Sequence, residues 1–242
     1  MRWSFCPRNV VCLCLFFLVF AVNPSFASSG RSSSQPGSSS QQSDLQQTWR
    51  GKYFRCGLNT SLMYHIFAKA MSGRMKWRFP KSHMLTIIDF TQPSTKKRCY
   101  VIDLQSEKLL YRTYVAHGRA TGMTYAQQFS NVPESYQSSL GFYRTAETYR
   151  GKHGYSLRLD GLESEINDMA RKRAIVMHSA EYAGESFLEK HGRLGRSLGC
   201  PALPPRVSRG IISKIQKGSC LFVYAEDSGY LSRSAAFSSP SG

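Results

Sequence analysis

Acidic residues are scarce: 15 Asp and Glu stand against 32 Lys and Arg in 242 residues, a formal charge of +17. That imbalance excludes an acidic solvating protein and points to an anionic partner, whether nucleic acid, an anionic lipid surface or a cell-wall polymer. The seven cysteines (Cys6, Cys12, Cys14, Cys56, Cys99, Cys200 and Cys220) contain no CxxC pair, which argues against a zinc ribbon and a disulfide-stapled miniprotein. No internal repeat is visible. The long apolar run, residues 10–22, has 13 residues, short of the roughly 20 that a bilayer-crossing helix needs. No base-reading helix or stacking motif accompanies the positive charge, so nucleic-acid binding is disfavoured. What is present is a hydrophobic fraction of 41% with 12% aromatics, enough for one globular domain.

Arg2 and Arg8 precede the 10–22 run, and Ser25-Phe26-Ala27 follows it. A basic start, a short apolar stretch and a small-x-small end predict a secretory signal peptide over residues 1–27, cleaved after Ala27. Its removal leaves a charge of +15, four cysteines, an oxidising compartment and no stable membrane insertion. Residues 28–43 hold nine Ser in 16 positions, and 28–48 is expected to be a flexible Ser/Gln-rich linker. The Ser-rich segment 226–242 is expected to be a disordered tail. The folded body is placed at 49–225.

Within it, Leu62, Met63, Ile66, Phe67, Ala70 and Met71 recur at helical spacing, with Asn59 and Thr60 as caps and Gly73 as the stop. The period then shortens. Residues 85–90, 99–104, 109–115, 142–148, 155–159, 174–178 and 221–224 are short, β-branched and aromatic, and read as strands. Helices are predicted over 162–172, from Leu162, Ile166, Met169 and Ala170, and from Pro205 to Gly218, burying Val207, Ile211, Ile212 and Ile215. The expected class is α+β: mainly β, sandwich-like, with helical additions.

The chemistry concentrates near Cys200. The apolar run 175–177 ends on His178-Ser179, and Arg196-Ser197-Leu198-Gly199-Cys200-Pro201 follows. A thiol in a Gly-flanked loop with a strand-borne imidazole is the minimum equipment for nucleophilic catalysis, because a thiol is only slightly ionised at neutral pH. A partly desolvated Cys–His pair could lower the thiol pKa by about 2 units, for about 2.7 kcal/mol. The Gly199 and Cys200 amides could face a developing oxyanion. A lone cysteine is equally a small buried hydrophobe. A metal site from His178, His191 and Cys200 matches no common zinc spacing.

The strand-borne His178 followed by Ser197-Leu198-Gly199-Cys200 resembles the active-site signature of the L,D-transpeptidase (YkuD-type) catalytic domain. The likeness extends through 87–90, 97–104, 115–118, 138–143, 151–154 and 215–223, in the style of the variant branch labelled murein L,D-transpeptidase catalytic domain family. It implies a YkuD-like β-sandwich catalytic domain. In the roles it implies, Cys200 attacks a carbonyl of a peptidoglycan stem tetrapeptide and expels the terminal D-Ala. His178 moves the proton, and the Ser179 carbonyl orients its ring. An amine then resolves the thioester into a 3→3 crosslink, or water does so in an L,D-carboxypeptidase. Peptidoglycan stem peptides are the implied partner, and neither metal nor organic cofactor is required. Ser197, Arg196, Tyr143 and His153 are the candidate substrate contacts, with Tyr143 alternatively a core residue and His153 alternatively a hydrogen-bonded structural one. The family usually has a second His where Leu198 stands and an Arg where Ala202 stands, so Arg193, Arg196 or Arg206 would have to receive the substrate carboxylate. The missing His also leaves open a non-catalytic cell-wall binding module. With Cys200 free, a Cys56–Cys99 bridge and a buried Cys220 are expected.

Overall fold

The computed structural model describes residues 38–237. The expected signal peptide, the linker as far as residue 37, and residues 238–242 lie outside them. Eight strands hydrogen-bond in the order β3-β2-β1-β8-β4-β5-β6-β7. They are β1 (Lys81–Asp89), β2 (Cys99–Asp103), β3 (Lys108–Thr113), β4 (Gly141–Gly151), β5 (Gly154–Gly161), β6 (Val176–Ser179), β7 (Ala202–Leu203) and β8 (Ser219–Tyr224). β1–β8 and β6–β7 are parallel and the other pairs antiparallel, so the sheet is mixed and the class is α+β, as expected.

The strands that form the middle are those with continuous apolar runs, as burial on both faces requires. Every residue of β8 is buried, and so are Leu85, Ile87 and Ile88 of β1. Phe142 of β4 stacks on Phe222 of β8 with ring centroids 4.2 Å apart. Helix α2 (Tyr64–Arg74) seals this face with Ile66, Phe67 and Ala70. It runs through Gly73 to Arg74 rather than stopping there, and glycine stands at that position because a Cβ would lie 2.2 Å from the Phe142 ring. After the short α3 (Glu185–His191), helix α4 (Pro205–Ile215) opens on a proline at its first position and buries Ile211, Ile212 and Ile215.

Four expectations change. Helix α1 (Ser38–Arg55) occupies what was read as the second half of the flexible linker. Trp49, Tyr53 and Cys56 bury one face of this chain segment, Tyr64 Oη donates to the Gln46 carbonyl, and Lys52 and Arg55 both bind Glu107. The anchored end propagates the helix back into polar sequence, since extending a helix is far easier than starting one.

The expected tail is ordered as far as Phe237. Helix α5 (Ser228–Arg233) is capped by the Asp227 carboxylate on the Tyr230 amide at 2.6 Å, and Tyr230 and Ala236 are buried. The predicted helix over 162–172 is instead a series of turns. Glu165 has φ 61°, in the left-handed region, and the Asn167 amide reaches away to the Leu140 and Phe142 carbonyls. Finally, Cys56 and Cys99 are both free and buried, so the expected bridge is absent, while Cys220 is buried in β8.

Candidate active site

Strand β6 carries His178 near its C-terminal end, and β7 pairs alongside it with His178 opposite Ala202. The loop that enters β7 therefore brings Cys200 beside the start of β6. The Val176 amide donates to Cys200 Sγ at 3.5 Å, and the thiol points to the Ala174 carbonyl at 3.7 Å. The His178 ring is nearly enclosed, at 2% exposure. Its Nδ1 lies 2.9 Å from the Ser179 carbonyl, an acceptor that requires the proton on Nδ1 and leaves the Nε2 lone pair free. Cys200, His178 and Ser179 are thus brought together. No hydrogen bond links the thiol to the imidazole among the described residues, a looseness common in unliganded sites.

The electrostatics correct one expectation. Burial pushes the Cys200 thiol up, and the Val176 amide, Arg173 and Lys152 only partly oppose it. Burial also pushes His178 down, helped by His153 and Lys152 and opposed by the Ser179 bond. The anticipated lowering of the thiol by a Cys–His pair does not occur, because a low-dielectric setting disfavours both charged forms.

The cysteine loop is braced from within and from below. Ser197 Oγ donates to the Cys200 carbonyl at 2.6 Å and accepts the Gly199 amide at 3.1 Å. Ser138 Oγ accepts the Gly118 amide and donates to the Gly199 carbonyl, both at 3.0 Å. Gly199 has φ 121°, and a Cβ there would meet the Gln137 carbonyl at 2.8 Å, so only glycine fits. Its amide is spent on Ser197, which leaves the Cys200 N–H as the oxyanion donor this loop can offer.

The remaining candidates fall differently. Ser197 is buried and its hydroxyl is used within the loop, so it braces the Cys200 segment and is not free to meet a substrate. Tyr143 is a core residue, 2% exposed, with its hydroxyl bonded to the Ser139 carbonyl at 3.0 Å; the substrate-contact expectation fails because its ring lies inside the sheet. Arg196 donates to the Arg119 and Gly122 carbonyls at 2.9 and 3.3 Å, and Arg193 to the Leu194 carbonyl. Arg206 is exposed on the first turn of α4. His153, at the tip of the β4–β5 hairpin, stacks on His178 with ring centroids 4.3 Å apart. His178, His191 and Cys200 do not form a metal-binding group among the described residues.

Sequence reasoning missed Arg173. Its guanidinium donates to the Ser130 and Gln137 carbonyls, both at 2.6 Å, ties down the segment under Gly199, and acts on Cys200 as a cation. It also missed a buried polar pair. Arg98 NH2 donates to His117 Nδ1 at 2.7 Å, and Nε2–H then donates to the Gly122 carbonyl at 3.2 Å. Desolvation and the Arg98 cation push His117 down to about 4, so it stays neutral. The pair holds the 117–122 loop, whose backbone bonds to Ser197 in both directions. An Arg in a short polar run carried no signal of burial.

Comparison with known proteins follows this geometry. The sequence profile of the L,D-transpeptidase catalytic domain matches residues 58–224. No curated protein matches the chain. Among solved structures, an L,D-transpeptidase from Mycobacterium smegmatis aligns at 12% identity and TM-score 0.38, covering 60% of this chain and 59% of that one. An L,D-transpeptidase from Stackebrandtia nassauensis aligns at 15% and 0.37, covering 75% and 78%. The helical cell shape determining protein Pgp2 from Campylobacter jejuni aligns at 14% and 0.41, covering 62% and 49%. The chain thus spans about three fifths of the Mycobacterium smegmatis protein and half of the Campylobacter jejuni one. With residues 58–224 matched by one family, the chain belongs to the L,D-transpeptidase (YkuD-type) catalytic domain family.

Proposed function

We propose that this protein is an exported cysteine acyltransferase of the cell envelope that cuts a peptidoglycan stem tetrapeptide and passes the acyl group to an amine. The observation that carries the reading is the pairing of β6 with β7. It sets a partly exposed thiol beside a strand whose histidine has Nδ1 tied to the Ser179 carbonyl and Nε2 free.

In the reaction, Cys200 Sγ bonds to the carbonyl carbon of the third stem residue while its proton passes to His178 Nε2. The Cys200 N–H stabilises the tetrahedral oxyanion. The C–N bond to D-Ala breaks as His178 returns the proton to the leaving amine, and a thioester remains. An acceptor amine then attacks, loses a proton to His178 and frees the thiol. The +15 charge left after removal of residues 1–27 favours association with an anionic mesh. The 1–27 segment, read as a signal peptide, would deliver the enzyme to the periplasm.

The test is mass spectrometry of muropeptides after incubation with the purified protein. Release of D-Ala with 3→3 dimers supports the amine route, and tripeptides alone support hydrolysis with water as acceptor. Cys200→Ala should lower D-Ala release by at least about 10³-fold with the fold retained. Undiminished turnover by that variant, or sacculus binding without any turnover by the parent, overturns the proposal.

A further inference from the structure

His153 occupies an exposed hairpin tip, between the paired Gly151 and Gly154. Gly154, at φ 73°, makes the turn in open space. His153 forms no hydrogen bond among the described residues, which removes the hydrogen-bonded structural role. Its one specific contact is the face of His178, at 4.3 Å between centroids and 27° between planes.

That face needs a support. Among the described residues His178 has a single ring hydrogen bond, Nδ1 to the Ser179 carbonyl. One in-plane bond fixes where Nδ1 sits and leaves the tilt of the ring about it to packing, and tilting swings Nε2. The ring stacked on its face is the part of that packing that sets the plane directly. Such contacts between aromatic rings are directional, and offset stacking is a preferred geometry.

We propose that His153 is a positioning residue for His178: from the hairpin tip its ring holds the base in one plane and so fixes the direction of Nε2. This rests on the assignment of Cys200 and His178 as nucleophile and base. It makes the β4–β5 hairpin part of the catalytic apparatus and replaces the expectation of His153 as a substrate contact.

The hairpin also brings charge. Lys152 and His153 both act on His178 as cations. The other elements packed on β6 are β5, β7 and α4: β5 carries Tyr155, Arg158, held by Glu147, and Asp160, held by Arg171, β7 carries no titratable group, and α4 carries Arg206, Arg209 and Lys214. Cys200 lies beside the start of β6, and Glu181, beyond its end, is exposed. A like charge on the stacked ring disfavours the imidazolium. Replacing that ring by a neutral one of similar shape therefore moves the His178 titration to higher pH.

The experiment uses the purified protein and its His153→Ala and His153→Phe variants, with circular dichroism to confirm the fold. Four quantities are measured: kcat and KM for D-Ala release from a disaccharide tetrapeptide across pH, the alkylation rate of Cys200 by iodoacetamide, and the His178 titration by NMR. His153→Ala should lower kcat about 3- to 10-fold with KM within about 2-fold. His153→Phe should restore kcat to within about 2-fold and raise the acid limb, and the NMR titration of His178, by about half a pH unit. A loss confined to KM, a Phe variant as impaired as the Ala variant, or an unmoved His178 titration overturns the proposal. If the parent releases no D-Ala from any muropeptide, the enzymatic reading fails separately. The NMR titration and the alkylation rates still decide whether the stacked ring governs His178.

Discussion

Ser138 gives the sharpest test of how the nucleophile loop is held. Its hydroxyl is a buried two-way link, accepting the Gly118 N–H and donating to the Gly199 carbonyl. Among the described residues nothing else bonds either group. Ser138→Ala deletes both bonds and strands a buried N–H and a buried carbonyl. Two net hydrogen bonds at about 1 kcal/mol each, plus the penalty for a stranded donor, give a destabilisation of about 2–4 kcal/mol. A methyl fills most of the vacated space, so a cavity adds little. The assay is urea unfolding, read as a shift in midpoint at constant slope. Ser232→Ala, on the exposed side of α5, is the control and should stay within about 0.5 kcal/mol. Because the Gly199 carbonyl belongs to the residue before Cys200, D-Ala release should fall further than stability alone explains. A Ser138→Ala protein within about 0.5 kcal/mol of the parent would refute the claim that this hydroxyl anchors the loop.

Glu163 and Glu107 should behave in opposite ways with pH. Burial raises the Glu163 pKa, although the Phe142 amide, Tyr230 and Ser234 all donate to its carboxylate. Its contribution is complete below the usual 4.5 and declines as pH rises through the raised folded value. Glu163→Gln should therefore flatten the urea midpoint across that window, and Glu163→Ala should cost about 2–4 kcal/mol and expose the 226–237 segment to protease. Glu107 is held down at about 2 by Arg55 and Lys52. Its contribution is present above 4.5 and lost as pH falls toward 2. Acid titration of unfolding should show Glu107→Gln weaker at neutrality and no more acid-sensitive than the parent, with α1 loosening first by hydrogen exchange.

The elements legible in the sequence are those whose burial is continuous or periodic over enough residues. Strands β1, β2 and β8 announced themselves through Ile87, Val101 and Leu221 with their neighbours, and α4 through its isoleucines. Short elements carry no such period: β7 is two residues, Ala202 and Leu203, yet it sets Cys200 against β6. The turns over 162–172 look helical because Leu162, Ile166 and Ala170 share a spacing. What breaks the helix is a left-handed Glu165 and a buried Asn167, both tertiary effects. Helix α1 was hidden by its Ser and Gln content, because its support comes from the distant Glu107 and from Tyr64. In the site, the residues proposed as nucleophile and base were readable as residue types in a pattern. The work of Ser138, Arg173 and the Arg98–His117 pair was not, because each acts on backbone groups far away in sequence.

The charge state of the resting pair follows from the same burial. From the ordinary values of 9.0 for the thiol and 6.5 for the imidazole, moving the proton from Cys200 to His178 is uphill by 2.5 units, or about 3.4 kcal/mol. Both shifts in this site widen that gap, since one group is pushed up and the other down. Both directions favour a neutral thiol and a neutral imidazole at rest, and the proposed reaction is then expected to couple proton transfer to attack on the carbonyl. The acid limb of kcat/KM should then lie below pH 6.5, where His178 becomes protonated and ceases to act as a base. Acylation should reach its plateau near neutrality. Alkylation of Cys200 by a small reagent, which depends on free thiolate, should keep rising past pH 9. If acylation instead tracks the alkylation curve upward through that range, the thiolate is the resting nucleophile and base-coupled attack is wrong.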